Sequence, residues 1–429
     1  MHDRGAVSAD SRRGVLLDLY ASACRAVDGR RSVRAELAGR PLPDAVTLIA
    51  VGKAASAMTL GALDVLGARV ARGLVISRAG HLDAELGAWS ALTCLEGDHP
   101  VPGAQSLAAG AKLLEFAAAT PPGARVLVLV SGGASSLVEA LPPAVTPADL
   151  KRVNEWGLGA GLGIGDLNAI RRRLSRLKDG RLATALAHTD AEALLISDVP
   201  GDDPAVVGSG LVMAQRAAPE PVVPEWLAAL LARARGLPPG GALPTRVVAT
   251  LGDALAAAER AADQRGISAR RLAAPAAGDA VQAASRFAHE LALTTADLLV
   301  WGGETSVNLP PRPGRGGRNQ HFALATARLI DGHADLVVLA AGTDGTDGNS
   351  ADAGAIVDGG TVARGAAEEL DAATAIATAD SGSFLEASGD LLHTGPTGTN
   401  VGDVVLGLRR APDPGAAAAP PAEPGSAAP

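Results

Sequence analysis

Aromatic side chains and lysine are what this sequence has least of. Phe, Trp and Tyr make up 2% of its 429 residues, so a core must be built from Ala, Val and Leu, and 47% hydrophobic content is enough to build one. Lysine occurs only as Lys53, Lys112, Lys151 and Lys178. A lysine in a functional position therefore stands out. The two cysteines, Cys24 and Cys94, have neither metal-ligand nor redox spacing, which excludes a disulfide scaffold and suits a reducing cytosol. Basic residues do not cluster with aromatics and the net charge is -8, which argues against nucleic acid as a partner. No apolar run reaches the ~20 residues of a membrane span. Met1-His2-Asp3-Arg4 opens no signal-peptide core. A cytoplasmic protein without a membrane partner is expected.

What is present is a repeated habit. Short apolar runs read as buried strands, and each ends in a polar loop, glycine-bearing in most cases. Val46–Val51 runs into Gly52-Lys53. Val126–Val130 runs into Ser131-Gly132-Gly133-Ala134-Ser135-Ser136, with a helix expected from Ala134 toward Leu141. Ala193–Ser197 leads to Asp198, Asp297–Trp301 to Gly302-Gly303-Glu304, and Asp335–Ala341 to Gly342-Thr343-Asp344. Open parallel sheets bind ligands beyond the carboxyl ends of their strands. Glycines there let a ligand reach backbone N–H groups, and a following helix start favours an anion. One such loop is as easily a plain turn. Five together point to a site for an anionic substrate. The fold class is accordingly α/β, and ~150 residues per domain gives two or three domains.

Other stretches admit two readings. Asp166–Arg181 is helical by its Leu167, Ile170, Leu174 and Leu177 spacing, with Asn168, Arg172 and Ser175 on a second stripe. It is either a solvated basic helix or one that offers Arg172 and Lys178 to a polyanion. Asp198, Asp202 and Asp203 are either an acidic turn or ligands for Mg²⁺, a hard cation that shares oxygen ligands with phosphates. Asp98-His99 could be structural or touch ligand. The loop from Asp344 is not an EF-hand, since its twelfth position is Ala355. Prolines crowd residues 217–245 and mark a domain junction near 240. From 411 the chain lacks core-forming residues and reads as a disordered tail.

Taken in order, Gly52-Lys53-Ala54-Ala55-Ser56-Ala57-Met58, Gly97–Pro102, Ser131-Gly132-Gly133, Ser197-Asp198 with Gly201–Asp203, Gly302–Thr305, Gly314–Gln320, Gly342–Gly348 and Thr394–Asn400 resemble the class II glycerate 2-kinases, the family with a C-terminal MOFRL domain. The resemblance spans about Leu16 to Leu408. It implies an N-terminal Rossmann-like domain (1–240, whose first ~40 residues could pack on the other domain), a C-terminal mixed α/β MOFRL domain (241–410) and an interdomain cleft. It implies phosphorylation of D-glycerate to 2-phosphoglycerate with ATP and Mg²⁺, by a monomer or homodimer.

On that reading Lys53, Arg318, Asp198 and Asp344 are the expected catalytic groups, and Asp198 and Asp202 the metal ligands. Ser131, Gly132, Gly133, Ser135, Ser136, Asn168, Arg172, Lys178, Glu304, Asn319, Asp347 and Asn400 are expected to contact substrate or nucleotide. The general base stays open among Asp198, Asp202 and Asp344. Departures from the family pattern fall at Ala134, Ser209–Val212 and Ala379–Gly382. Two rivals remain: a hydroxypyruvate reductase using NAD(P)H, for which no Gly-x-Gly-x-x-Gly turn follows a strand, and a metabolite-binding relative without turnover.

Overall fold

The computed structural model describes residues 9–160, 164–215 and 221–409; the expected tail beyond 411 lies outside them. Helices α1 (Ala9–Ala26) and α2 (Gly29–Leu37) precede β1 (Val46–Val51). Next come α3 (Ala55–Leu66), β2 (Val70–Arg78), β3 (Leu92–Gly97), α4 (Ala104–Ala118) and β4 (Arg125–Val130). Four short helices follow, α5 (Ala134–Leu137), α6 (Pro147–Gly159), α7 (Ile164–Arg173) and α8 (Arg181–Ala185), then β5 (Asp190–Ile196), α9 (Glu225–Arg233) and β6 (Thr245–Ala249).

These six strands form one parallel sheet in the order β3-β2-β1-β4-β5-β6. That is the doubly wound arrangement, whose order reverses between β1 and β4. Both faces of the central strands are covered, so β1 and β4 are apolar almost throughout. Leu48, Ala50, Leu127 and Leu129 face one core, and Ile49, Val51, Val128 and Val130 the other.

Three expectations change here. The helix read over Asp166–Arg181 ends at Arg173, and residues 174–180 are turns before α8. The helix after β4 stops at Leu137, because Val138 is extended and Glu139 N–H bonds Ser106 O (3.0 Å). The junction near 240 also moves. β6 pairs with β5 from Thr245 to Ala249, so the first sheet continues past residue 240.

The second half runs α10 (Leu251–Asp263), β7 (Ala269–Arg271), β8 (Ala276–Asp279), α11 (Ala280–Leu293), β9 (Leu298–Ser306), α12 (Arg318–Leu329), β10 (Val337–Gly342) and β11 (Gly354–Asp358). It ends with α13 (Thr361–Ala367), α14 (Ala372–Ala377), α15 (Ser381–Ala387), β12 (Leu391–Leu392) and β13 (Asp403–Leu408). The sheet is mixed, ordered β12-β11-β10-β13-β9-β7, with β8 also on β9. β7 and β8 lie parallel to β9, and the other pairs are antiparallel. Because β13 runs against both neighbours, its first residue, Asp403, sits opposite Gly303 and Gly342 at their carboxyl ends.

One apolar cluster joins the two sheets. It runs from Leu48, Leu127 and Leu194 through α1, α3 and α10 to Val300, Leu339 and Leu406. Helix α1 packs on α10 and reaches β10 and β13 of the second sheet. Gly29 N–H donates to Gly398 O (3.0 Å) and Thr399 Oγ1 to Val27 O (2.6 Å). These contacts bring the strand ends of the two sheets face to face.

Candidate active site

Lys53 follows β1, at the point where the strand order reverses. Its ammonium crosses to the second sheet and bonds Asp344 Oδ2 at 2.5 Å. The turn beneath it is stitched to the turn after β4: Lys53 N–H donates to Gly132 O (2.9 Å) and Ala54 N–H to Ser131 Oγ (3.0 Å). A Cβ on Gly132 would sit 2.0 Å from both Asp198 Oδ2 and Asn400 Nδ2. One on Gly133, whose φ is +82°, would meet Lys53 Cγ at 3.1 Å and the His99 ring at 3.3 Å. Only glycine gives this close approach from both sides. The N–H groups of Gly132 and Gly133 donate to no acceptor among the described residues, so they are available to an anion.

Across the cleft, Arg318 opens α12 and grips Asp403 with two donors, Nε to Oδ2 (2.6 Å) and Nη2 to Oδ1 (3.1 Å), while Nη1 pairs with Glu304. Asn400 Nδ2 donates to Asp198 Oδ2 (3.2 Å), closing the circuit between sheets. Desolvation, reinforced by the nearby charge of Glu304, raises Asp198 to about 6 against the pull of Lys53 and Arg318. Asp344 goes the other way. Burial pushes it up, but Lys53 and the Thr346 N–H outweigh that and hold it below the usual carboxylate range. Burial with Lys53 and Arg78 lowers His99 to about 3, leaving a neutral imidazole. Lys53, Asp198, Glu304, Arg318, Asp344, Asn400 and the glycine turn thus share one cleft.

Other expected contacts fall elsewhere. Lys178 is fully buried and paired with Glu139, equally buried, so it meets no polyanion. Arg172 lies by Asp179 and Arg181, half-buried. Its neighbour Arg171 is the one that turns inward, bonding Asn168 Oδ1 and Ser135 O (both 3.4 Å). Ser131 is buried as the stitch just described. Ser135 Oγ bonds Ser209 Oγ (2.8 Å) and Ser136 Oγ donates to Pro100 O (2.7 Å). These hydroxyls shape the loop.

Asp347 accepts from the N–H groups of Asn319 (3.1 Å) and Gln320 (2.8 Å) and from Asn319 Nδ2 (3.4 Å). Burial raises it to about 7 even so, with Asp403 adding to the rise. Asp347 and Asn319 therefore set the first turn of α12, and with it Arg318. Asp202 sits in the tight turn after β5, at φ +52° with its N–H on Val199 O. Among the described residues no three Asp, Glu, His or Cys converge as a metal cage.

Asp403, Arg78 and His99 are cleft groups that sequence reasoning missed or left open. Asp403 had a signal, since it opens the last strand. Its role depends on an antiparallel neighbour that no spacing reveals. The altered motifs are structural: Ala134 is buried in the core of the first sheet, and Asp380 Oδ1 accepts from Arg315 N–H (2.8 Å) and Ser383 Oγ (2.7 Å) to shape the loop before Arg318.

A profile of the MOFRL family matches residues 297–403, and one described as a domain of unknown function (DUF4147) matches 15–228. The D-glycerate 2-kinase of Thermotoga maritima is 31% identical, over 93% of this chain and 99% of its own. The chain belongs to the class II glycerate 2-kinase family.

A glycerate kinase crystal structure from Thermotoga maritima superposes with a TM-score of 0.76 at 29% identity, covering 93% of this chain and all of that one. An Agrobacterium vitis relative, 35% identical over 83% of this chain and 97% of its own, carries a provisional hydroxypyruvate reductase name. In this family member the turn after β1, Gly52-Lys53-Ala54-Ala55-Ser56, lacks the glycine spacing a dinucleotide pyrophosphate needs.

Proposed function

We propose that this chain transfers the γ-phosphoryl group of ATP to the 2-hydroxyl of D-glycerate in the cleft between its sheets. The observation that carries the reading is the single cleft joining Lys53, Asp198 and Arg318 over two free glycine amides. Phosphoryl transfer is mainly positioning and charge neutralisation, and those groups supply both. Lys53 would stabilise charge on the moving phosphoryl group. Asp198 is the best candidate base, because burial raises its pKa to about 6 and, among the described residues, Asn400 is the one side chain that bonds it. Asp344 is tied to Lys53 and is the poorer proton acceptor. Arg318 would orient Glu304 and Asp403 and face the phosphates.

Mg²⁺ binds phosphates through one or two protein carboxylates, so it needs no preformed cage. Asp198 and Glu304 repel each other here and fit that role. A bound Mg²⁺ would neutralise charge on the phosphate oxygens.

The test is ADP release from ATP and Mg²⁺ with and without D-glycerate, with hydroxypyruvate and NADH in parallel. Glycerate-dependent ADP release that EDTA abolishes and excess Mg²⁺ restores is expected. NADH consumption without ADP release would overturn the kinase reading.

A further inference from the structure

The cleft is divided by charge, a feature that the roles above do not use. On the β4–β5 side stand Asp198, Glu304 and Asp403 against Arg318, an excess of negative charge suited to a metal–triphosphate. On the β1–β2 side Arg78 stands with Lys53, which bonds Asp344 and whose charge also reaches Asp198 and Glu304. Arg78 ends β2, the strand paired with β1, whose end leads through Gly52 to Lys53. Among the described residues its side chain makes one hydrogen bond, to the neutral Thr346 Oγ1 (3.1 Å), and pairs with no carboxylate. Thr346 in turn donates to Asp344 Oδ1 through its N–H (2.9 Å). His81 and His99 lie beside Arg78, and burial keeps both rings from taking up a proton. The unbalanced charge here therefore comes from one guanidinium.

We propose that Arg78 anchors the carboxylate of glycerate, with His99 beside it, and so sets the enzyme's preference for a hydroxy-acid over a neutral polyol. The proposal rests on the kinase reading above. A guanidinium binds a planar carboxylate through two parallel N–H···O bonds, which an ammonium cannot do. The glycine turn spans the distance the substrate must cover: Gly133 abuts His99 and Lys53, and Gly132 abuts Asp198. A glycerate laid over that turn directs its carboxylate to Arg78 and its 2-hydroxyl toward Asp198. Lys53 then stands over the oxygen that receives the phosphoryl group. A single uncharged step, from carboxylate to amide, removes the interaction without changing the substrate's shape.

The experiment compares full-length wild type, Arg78→Gln and Arg78→Lys in ADP release, with D-glycerate and its neutral amide, D-glyceramide, as acceptors. Arg78→Gln should raise KM for glycerate by roughly tenfold to a hundredfold, the range lost with a hydrogen bond to a charged group. KM for ATP should stay within twofold. Arg78→Lys should recover part of the loss. Wild type should prefer glycerate to glyceramide strongly, and Arg78→Gln should erase most of that preference.

An unchanged KM for glycerate in Arg78→Gln, or an equal rise in KM for ATP, overturns the proposal. So does a wild type that uses glyceramide as well as glycerate, a result that needs no variant to fold. A wild type that releases no ADP with glycerate overturns the kinase reading itself and this proposal with it.

Discussion

Lys53 and Asp198 show how neighbours set a residue's chemistry. Both follow strands of the first sheet, yet one is held charged against Asp344 while the other is left with little compensation. Replacing Lys53 by Met keeps the stem and removes the charge. Turnover should fall by about a hundredfold or more, the scale of losing one transition-state donor, and the urea midpoint should fall as well, because Asp344 is left buried without its partner.

Asp198 sets the pH dependence. Its pKa is raised, so the acid form persists to about 6 and the base form dominates above it. The ratio kcat/KM, which reports the free enzyme, should rise with pH along a limb centred near 6 and level off by neutrality. Asp198→Asn should abolish both the limb and most of the activity. A flat profile between pH 5 and 7 in wild type would assign the base elsewhere.

Single elements carry the next level. The turn after β4 admits no side chain, because a methyl at 132 would overlap Asp198 and Asn400 at 2.0 Å. Gly132→Ala should cut kcat/KM by a hundredfold or more while the fold survives, since the clash lies in the cleft and can be relieved by moving Asp198. Circular dichroism would verify the fold, and kinetics the loss.

The start of α12 is a second case. Asp347 takes its first N–H groups, and Gly317 leaves room, its would-be Cβ lying 2.3 Å from Asp347 Oδ1. Loss of such a cap costs about 1 kcal/mol, so Asp347→Ala should lower the melting temperature modestly. Because the same turn presents Arg318, turnover should fall far more than stability does.

At the scale of the molecule, the two sheets are not independent. A shared apolar cluster runs between them, and α1 leaves the N-terminus to pack on the second sheet. Far-UV ellipticity and tryptophan fluorescence should therefore report coincident transitions on thermal unfolding. Well-separated transitions would show that the joint core is weak. Lys178 and Glu139 lie deep in the first half. Removing one charge of a buried pair costs about 3–5 kcal/mol, so Lys178→Met should destabilise sharply in a urea melt. KM for glycerate should be unchanged in the protein that folds, as befits a structural ion pair.

Strand ends were legible in the sequence because period and punctuation are local: apolar β-branched runs stop at glycines whatever surrounds them. That much set out an α/β protein, its ligand edge, and Lys53 and Asp198 as residues of interest, while Arg318 came from the family resemblance. Tertiary structure alone decided which charges meet. Lys178 and Arg78 are both basic residues, yet one is sealed against Glu139 and the other, among the described residues, pairs with no carboxylate. Asp403 holds Arg318 only because β13 runs antiparallel between β9 and β10. Burial and pairing depend on contacts between residues tens to hundreds of positions apart, and no local pattern encodes them.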